Sequence, residues 1–293
     1  MPLVAAAIMP HGFALIPALS DDAEGAMETR RAMEEVGRRF ADAGVEAVVL
    51  AGPHGTRVEG AMCVMDVGRA AGTLARGDRS IEMNVPCDRQ LVEAILAGAR
   101  SAGINAAAAG FGGNRADQSV APLDWGAVTP LWFVGHDANR PLSGNVLAPN
   151  PEKDEGPPVV LITPSRSLSR QKMVDFGQML GRVFAEDRRK ISFIASCDWA
   201  HTHREDGPYG AHPKAAEVDA KVVQAVKEHE LHTLATLSDE DVTDAAIDGL
   251  WQTLMLAGIQ DVTPCDAEFL SYEVPSYFGM IVAAYSPTAV PHA

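Results

Sequence analysis

The chain has 293 residues and a formal charge of −15, because 39 Asp and Glu residues outnumber 24 Lys and Arg residues. Hydrophobic residues make up 47% of the chain and charged residues 22%, a globular composition that excludes disorder as the default. Nucleic-acid binding depends on Lys and Arg side chains that neutralise phosphates. The acidic balance therefore argues against a nucleic-acid partner and against an anionic membrane surface.

The cysteines and the N-terminus indicate the cellular compartment. The four cysteines are far apart and form no CxxC pair, which favours reduced thiols over a disulfide framework or a thiolate zinc site: Cys63, Cys87, Cys197 and Cys265. The apolar N-terminal stretch lacks a cationic region and is interrupted at residues 10–12, well short of a membrane span. We expect a cytoplasmic protein of enzyme size without a membrane partner.

Strand-like and helix-like stretches alternate along the chain, which is typical of an α/β fold. In chain order, the pattern predicts a strand at 3–9, a helix at 23–43, strands at 45–51 and 61–67, a helix at 88–102, strands at 104–109 and 128–134, a loop or crossover at 139–158, a strand at 159–162, a helix at 165–189, a strand at 191–196, helices at 213–230 and 238–258, and strands at 268–274 and 279–284. No composition shift marks a linker. We therefore expect one domain over residues 1–293, with a central mixed sheet flanked by helices on both faces.

Three histidines follow predicted strands by only a few residues: His11, His54 and His201. In open α/β sheets, ligands bind in the crevice outside the carboxyl ends of the strands, so these three side chains could converge there. His11 and His54 each stand in a Pro-His-Gly sequence directly after an apolar run. The rigid proline and the permissive glycine can project an imidazole from a fixed backbone.

Two histidines and one carboxylate form the facial triad that suits non-haem Fe(II). Pattern and spacing leave several carboxylates eligible as the third ligand: Asp198, Glu205, Asp206, Glu217, Asp244 and Asp248. Zinc accepts the same ligands and stays open as an alternative. Each histidine taken alone is also compatible with a structural role, in which its ring bonds to a backbone carbonyl and holds a turn.

Five segments in order carry a family resemblance: MPHGFALIP, AGPHGTRVEGA, LDWGAVTPLWFV, SCDWAHTHREDGPYGAHPKAAEVD and DAAIDGLWQTLMLAGI. Together they resemble the LigB-type class III extradiol dioxygenases, typified by the catalytic subunit of protocatechuate 4,5-dioxygenase. The resemblance spans nearly the whole chain. It implies that His11 and His54 are metal ligands and that His201, three residues after Asp198, is the catalytic acid/base. Asp198 would then hold the His201 tautomer or cap the loop.

The chain departs from the family pattern at two positions. The family's third ligand is a glutamate that aligns with Asp244, five residues before Gly249, so the resemblance implies Asp244 as the ligand. An aspartate is one methylene shorter and requires a closer approach of helix and metal. Asp244 is equally compatible with a solvated position near a helix N-terminus. Trp125 stands in LDWG where relatives commonly have LDHG, and if this position lines the site we expect a different substrate preference.

The resemblance implies an Fe(II)-dependent extradiol dioxygenase, with O₂ as co-substrate and a catechol-type or aminophenol-type aromatic as substrate, and with Fe(II) preferred over zinc or manganese. The alternatives are a Memo-like binding protein of the same fold and a zinc-dependent enzyme that uses the same histidines. We also expect a homo-oligomer, with a small accessory subunit as a further option. The acidic composition would not attract an anionic aromatic acid, so either a basic residue lies near the pocket or the substrate is neutral.

Overall fold

A computed structural model describes residues 2–20, 25–137, 146–147 and 156–288. The strands are β1 (Leu3–Met9), β2 (Ala47–Ala51), β3 (Met62–Met65), β4 (Arg69–Arg76), β5 (Arg79–Pro86), β6 (Ala106–Ala109), β7 (Val120–Pro122), β8 (Val159–Pro164), β9 (Ile191–Ser196), β10 (Cys265–Glu273) and β11 (Met280–Pro287). The helices are α1 (Met27–Ala43), α2 (Arg89–Ser101), α3 (Trp125–Phe133), α4 (Arg170–Glu186), α5 (Lys214–Lys227), α6 (Asp239–Asp244) and α7 (Leu250–Val262).

Eight strands form one mixed sheet in the order β10-β11-β1-β9-β2-β8-β3-β6. The four strands β1, β9, β2 and β8 run parallel to one another, whereas β11 and β3 pair antiparallel on either side of them. The predicted α/β class with a central mixed sheet is confirmed. Because β1, β9, β2 and β8 are parallel, their carboxyl ends lie at one edge of the sheet.

Two hydrophobic cores lie on opposite faces of this sheet, since successive side chains of a strand point to opposite sides. In β2, Val49 belongs to one core and Leu50 to the other. The Val49 core includes side chains of α2, α4, α5 and α7, and the Leu50 core includes side chains of α1 and α3. The sheet is therefore covered by helices on both faces, as predicted.

Two predicted elements are wrong. Residues 128–133 belong to the helix α3 and residue 134 caps it, so the predicted central strand at 128–134 is absent. This helix is short and apolar on nearly all sides, and its residues 126–131 are buried, so no helical periodicity distinguishes it from a buried strand. The predicted helix at 238–258 is divided into α6 and α7, which are separated by residues 245–249.

A three-stranded sheet in the order β5-β4-β7 was not predicted. Strands β4 and β5 form a hairpin whose two-residue turn contains Gly77 at φ +62°, in the left-handed region. Most of the predicted loop at 139–158 lies outside the described residues. All four cysteines are free. Among the described residues, none of the helices has the length and apolar character needed to span a bilayer.

Candidate metal centre

The parallel strands bring distant residues to one edge of the main sheet. His11 lies two residues after β1, His54 lies three residues after β2, and Asp198 and His201 follow β9. A fifth residue, Asp248, comes from the break between α6 and α7. All five line one cavity of about 400 Å³. The convergence of His11, His54 and His201 that strand-end placement suggested is therefore present in the fold.

Three donor atoms in this cavity have the spacing of a metal site. The Nε2 atoms of His11 and His54 lie 3.2 Å apart. The Oδ2 atom of Asp248 lies 3.5 Å from Nε2 of His11 and 3.7 Å from Nε2 of His54. Two ligands that each lie about 2.1 Å from one ion and meet at a right angle are about 3 Å apart, so small shifts would suffice for a shared cation. His11, His54 and Asp248 are the candidate ligands among the described residues.

A hydrogen-bond chain orients the ring of His11. The Ser196 hydroxyl donates its single hydrogen to the carbonyl of Gly126, at 2.5 Å. Ser196 Oγ therefore accepts from Nδ1 of His11, 3.1 Å away. This fixes the neutral tautomer with hydrogen on Nδ1 and leaves the Nε2 lone pair directed at the site, as a metal ligand requires.

The loop after β2 positions His54. The hydroxyl of Thr163, at the end of β8, donates to the His54 carbonyl at 2.8 Å. Gly55 follows at φ +91°, where a side chain would be strained. The imidazole of His54 packs beside the exposed indole of Trp125, with ring centroids 4.5 Å apart. The His54 ring is thus held between the backbone of one strand end and the start of α3.

Asp248 is held by the close approach of α7 to the loop after β9. A Cβ on Gly249 would lie 2.6 Å from Cβ of Cys197, so only glycine permits this contact. Gln252 donates from Nε2 to the Asp248 carbonyl at 3.0 Å and to the Ser196 carbonyl at 2.7 Å. The Oδ1 atom of Asp248 is buried and has no hydrogen-bond partner among the described residues. A buried carboxylate oxygen without a donor fits a site built for a cation.

The charges at the site are strongly coupled. Burial alone would lower the pKa of His11, but the carboxylates of Asp198 and Asp248 outweigh it and raise this pKa to about 9. Burial and the positive charge of His11 lower the pKa of His54 to about 4. Burial opposes ionisation of Asp248, yet the neighbouring histidines hold its pKa below the usual range. Without a metal, the site therefore pairs a charged His11 with the Asp248 carboxylate and keeps His54 neutral.

The sequence matches a family profile described as the catalytic LigB subunit of aromatic ring-opening dioxygenase, over residues 5–283. The chain belongs to this family. The LigB resemblance inferred from the five segments is thereby confirmed, and the matched region contains every candidate site residue. The family supports an aromatic ring-opening dioxygenase and a metal-dependent site.

Two similar proteins extend this comparison. Protein CA_C1420 of Clostridium acetobutylicum is 22% identical over 268 residues, which cover 91% of this chain and 54% of that protein. The chain thus spans about half the length of this relative. The crystal structure of an uncharacterized protein, JW3007, from Escherichia coli K12 covers 96% of this chain and 99% of its own, with a TM-score of 0.60 and 14% identity. At that identity the similarity shows the fold alone.

The family resemblance implied Asp244 as the third ligand, and the structure corrects this, because Asp248 is the carboxylate that lies beside His11 and His54. The Oδ2 atom of Asp244 lies 3.8 Å from Nε2 of His212, and its carbonyl accepts from the hydroxyl of Thr202 at 2.9 Å. Asp244 ends α6, whereas Asp248 lies four residues later, two residues before α7 begins. The non-helical segment at 245–249, between α6 and α7, directs Asp248 and not Asp244 toward His11 and His54. Asp248 was among the eligible carboxylates, but no spacing rule selected it.

His201 faces the same cavity with a defined tautomer. Its Nδ1 donates to the carbonyl of Ala246 at 2.9 Å, because a carbonyl can only accept. In the neutral ring, Nε2 is therefore the free base, and it lies 3.9 Å from Oδ2 of Asp248. Phe278 stacks on the imidazole with centroids 5.5 Å apart. Ala246 adopts φ 49°, so a residue in the left-handed region presents this carbonyl.

Asp198 acts on His11 rather than on the His201 ring. Its Oδ1 accepts from the backbone N–H of His11 at 3.0 Å, and its Oδ2 lies 3.4 Å from Nε2 of His11. Burial raises the pKa of Asp198. Of the two roles left open by the sequence, fixing the loop is the one these contacts support. A catalytic role for Asp198 stays a prediction.

His203 lies outside the cavity, and it stabilises the loop that carries His201. The fully buried Asp219 of α5 accepts from the backbone N–H of Ala200 at 3.0 Å and from the hydroxyl of Tyr272 at 2.9 Å. Nε2 of His203 lies 2.7 Å from the same carboxylate. This network ties α5 and β10 to the segment that immediately precedes His201.

Proposed function

We propose that the protein is a non-haem Fe(II)-dependent extradiol dioxygenase that opens the ring of a catechol-type or aminophenol-type aromatic. One observation carries this proposal: His11, His54 and Asp248 meet in a cavity that His201 also lines, in a chain of the LigB family. Two histidines and a carboxylate are typical of non-haem Fe(II) oxygenases, because they occupy one face of the ion. The fold on its own would leave the chemistry open.

Fe(II) held by these three ligands would chelate an ortho-diol, bind O₂ beside it and provide the path for electrons from ring to oxygen. The chain's own residues supply orientation and proton transfer. Ser196 keeps the Nε2 lone pair of His11 available. The aromatic side chains of Trp125, Tyr209 and Phe278 line the cavity and provide flat surfaces for a single-ring substrate.

His201 is positioned to move protons at Nε2. His201 lines the cavity, and its unprotonated Nε2 could accept a proton from a substrate hydroxyl held there. The carbonyl of Ala246 stabilises the protonated ring by accepting from Nδ1. The same nitrogen can later return the proton to an oxygen of the opening ring, because an imidazole acts as both general base and general acid.

The first experiment measures O₂ uptake by anaerobically purified, Fe(II)-loaded protein with protocatechuate, gallate, catechol, homoprotocatechuate and 2-aminophenol, with metal content measured on the same sample. We expect uptake and a coloured ring-opened product with at least one of them. If all five give no O₂ uptake while iron is bound stoichiometrically, the dioxygenase proposal is wrong. Protein that binds no redox-active metal would instead favour a Memo-like binding role.

A His201→Gln variant tests the assigned base. This variant should retain iron and lose at least about a hundredfold in kcat, because general acid-base groups contribute about 10²–10⁴ in rate. His232→Gln is the control, because it removes an exposed histidine that pairs with Asp261 outside the cavity. Equal losses of kcat in the two variants would contradict the assignment of His201.

A further inference from the structure

Arg166 introduces a positive charge into the metal-centre cavity. It lies two residues after β8, the parallel strand beside β2, and so follows a strand end just as His11 and His54 do. Its side chain lines the same cavity as His11, His54 and Asp248. No other Lys or Arg among the described residues lines this cavity.

The guanidinium of Arg166 is fixed by stacking. Its Cζ lies 4.6 Å from the ring centroid of Trp251, in the first turn of α7. Trp251 is itself buried, so it forms a rigid platform. A guanidinium that contacts a ring through its face keeps its in-plane N–H groups available for two parallel hydrogen bonds to one carboxylate.

Within the described part of the chain, the guanidinium of Arg166 lies over the Trp251 ring, is in no ion pair within 4.0 Å, and interacts with the Asp248 carboxylate only at longer range. Its charge nevertheless reaches the metal centre. Burial and the charge of His11 are the main causes of the lowered pKa of His54, and Arg166 adds to them. A guanidinium that lies over an aromatic ring, faces a ligand cavity and has no carboxylate at ion-pair distance has the properties of an anion-binding group.

We propose that Arg166 is a specificity-determining residue that binds an anionic substituent, a carboxylate, on the aromatic substrate. This inference rests on the proposed ring-opening function and specifies its substrate class. The metal centre would hold the two hydroxyls at one end of the ring, while Arg166 holds the carboxylate at another. In a chain with a net charge of −15, a local cation of this kind offsets the general repulsion of an organic anion.

A pair of isosteric substrates tests the inference through kinetics. Protocatechuate carries a carboxylate, and 3,4-dihydroxybenzamide replaces it with a neutral amide of the same shape. We expect the wild type to favour protocatechuate in kcat/KM, and we expect Arg166→Gln to reduce that ratio at least tenfold. Arg166→Lys should fall between the two, since lysine keeps the charge but loses the planar fork and much of the stacking.

Arg57 provides the matched control. It is exposed, it influences Arg166 electrostatically, and it does not line the cavity. Arg57→Gln removes the same charge without removing the proposed contact, so it should change the substrate ratio by less than threefold. If Arg57→Gln and Arg166→Gln lower the ratio equally, general electrostatic attraction explains the preference and the proposed contact is wrong.

Equilibrium binding separates this inference from the ring-opening proposal. Calorimetry on the metal-free protein compares 4-hydroxybenzoate with 4-hydroxybenzamide, neither of which can be cleaved as a diol. We expect the carboxylate probe to bind at least tenfold more tightly to the wild type and to Arg57→Gln, but not to Arg166→Gln. This outcome would support the role of Arg166 even if no catechol gave O₂ uptake.

Two results would overturn the inference. One is a wild type that does not discriminate between the two probes, including the case in which neither binds at millimolar concentration. The other is unchanged discrimination in Arg166→Gln. Either result would reject the role of Arg166. If Arg166→Gln also takes up O₂ with protocatechuate as fast as the wild type does, the dioxygenase proposal stays intact.

Discussion

At the scale of single residues, one hydrogen bond to each ring sets the tautomers of His11 and His201. Both rings donate from Nδ1, His11 to Ser196 and His201 to the carbonyl of Ala246. Both therefore present an unprotonated Nε2 when neutral. His11 lies beside His54 and Asp248 within ligand spacing, whereas Nε2 of His201 is set farther from Asp248. The same tautomer thus suits one ring for metal binding and the other for proton transfer.

The identity of the third ligand gives a direct prediction. Asp248→Ala should lower bound iron to below about a tenth of the wild-type content, because it removes the only anionic oxygen from the facial triad. Asp244→Ala is the matched control, since it deletes a carboxylate four residues away that lies beside His212. Elemental analysis of both variants after identical loading measures the difference. The assignment fails if Asp244→Ala loses the metal and Asp248→Ala retains it.

The coupling between His11 and its carboxylates predicts a pH dependence of metal binding. The pKa of His11 is raised to about 9 without metal, and that of His54 is lowered to about 4. Between about pH 4 and pH 9, a metal must therefore displace a proton from His11 but none from His54. Since a ligand must be deprotonated, the apparent affinity for Mn(II) should rise about tenfold per unit between about pH 6.5 and 8.5.

Calorimetry in buffers of different ionisation enthalpy measures this proton directly. We expect release of about one proton per Mn(II) at pH 7, where His11 is charged before binding. Release of no proton at pH 7 would show that His11 is already neutral in the metal-free protein. An affinity for Mn(II) that decreases as the pH rises would contradict the predicted direction of the pH dependence.

The sequence predicted the histidines better than the carboxylate for a physical reason. His11 and His54 follow apolar strands within rigid Pro-His-Gly turns, so their positions depend on a few local residues. The position of Asp248 depends on the break between α6 and α7 and on the close approach of Gly249 to Cys197. Those are tertiary contacts between segments about fifty residues apart, and no local pattern encodes them. Arg166 was missed because its strand end carries no histidine or carboxylate signal.

At the scale of elements, strand and helix assignments succeeded where one face of the segment is polar. Helix α1 has a buried stripe that includes Met33, Val36 and Phe40, with charged residues between them. Helix α3 has no such stripe, because it is buried nearly all round and contains Pro130, and so its sequence was interpreted as a strand. Helical periodicity exists only where solvent makes one side polar.

The packing of α4 against α7 depends on glycines. A Cβ on Gly177 would lie 2.0 Å from the carbonyl oxygen of Met255, and a Cβ on Gly258 would lie 2.1 Å from that of Val174. The two helix backbones therefore touch, and this contact supports the start of α7, where Asp248 is positioned. Backbone atoms cannot move aside as a flexible side chain can.

Gly177→Ala should therefore destabilise the protein by about 1–3 kcal/mol despite the better helix propensity of alanine. Gly98→Ala on α2 is the control, because its added methyl would meet only side-chain atoms, the sulfur of Met179 and a methyl of Val183 at 2.8 Å each, and no backbone. Urea denaturation of both variants measures the free energy of unfolding. Similar stabilities of the two variants would show that α4 and α7 can separate without cost.

At the scale of the whole molecule, the alternation of strand-like and helix-like stretches was enough to predict the α/β class. The parallel strands explain why residues so far apart in sequence form one site. His11, His54, Arg166 and His201 each follow a different strand, and all four strands end at the same edge. Which strands neighbour each other could not be predicted, because order in the sheet depends on helix packing across both faces. The small sheet of β5, β4 and β7 was missed for a different reason, because β4 is only partly buried.

The metal centre joins β1, β2 and the start of α7, so metal binding should stabilise the entire fold. A ligand that binds only the folded state at a thousand times its Kd adds about 4 kcal/mol, which corresponds to roughly 5–8 °C in Tm for a chain of this length. We expect Mn(II) to raise Tm by this amount in the wild type and in Asp244→Asn, and chelation to reverse it. Asp248→Asn should show a shift below about 2 °C, because its ligand set lacks the anionic oxygen. Scanning calorimetry at fixed protein concentration measures all three proteins. An equal shift in Asp248→Asn would mean that the stabilising ion binds outside the His11 and His54 site, since only this site loses a ligand in that variant.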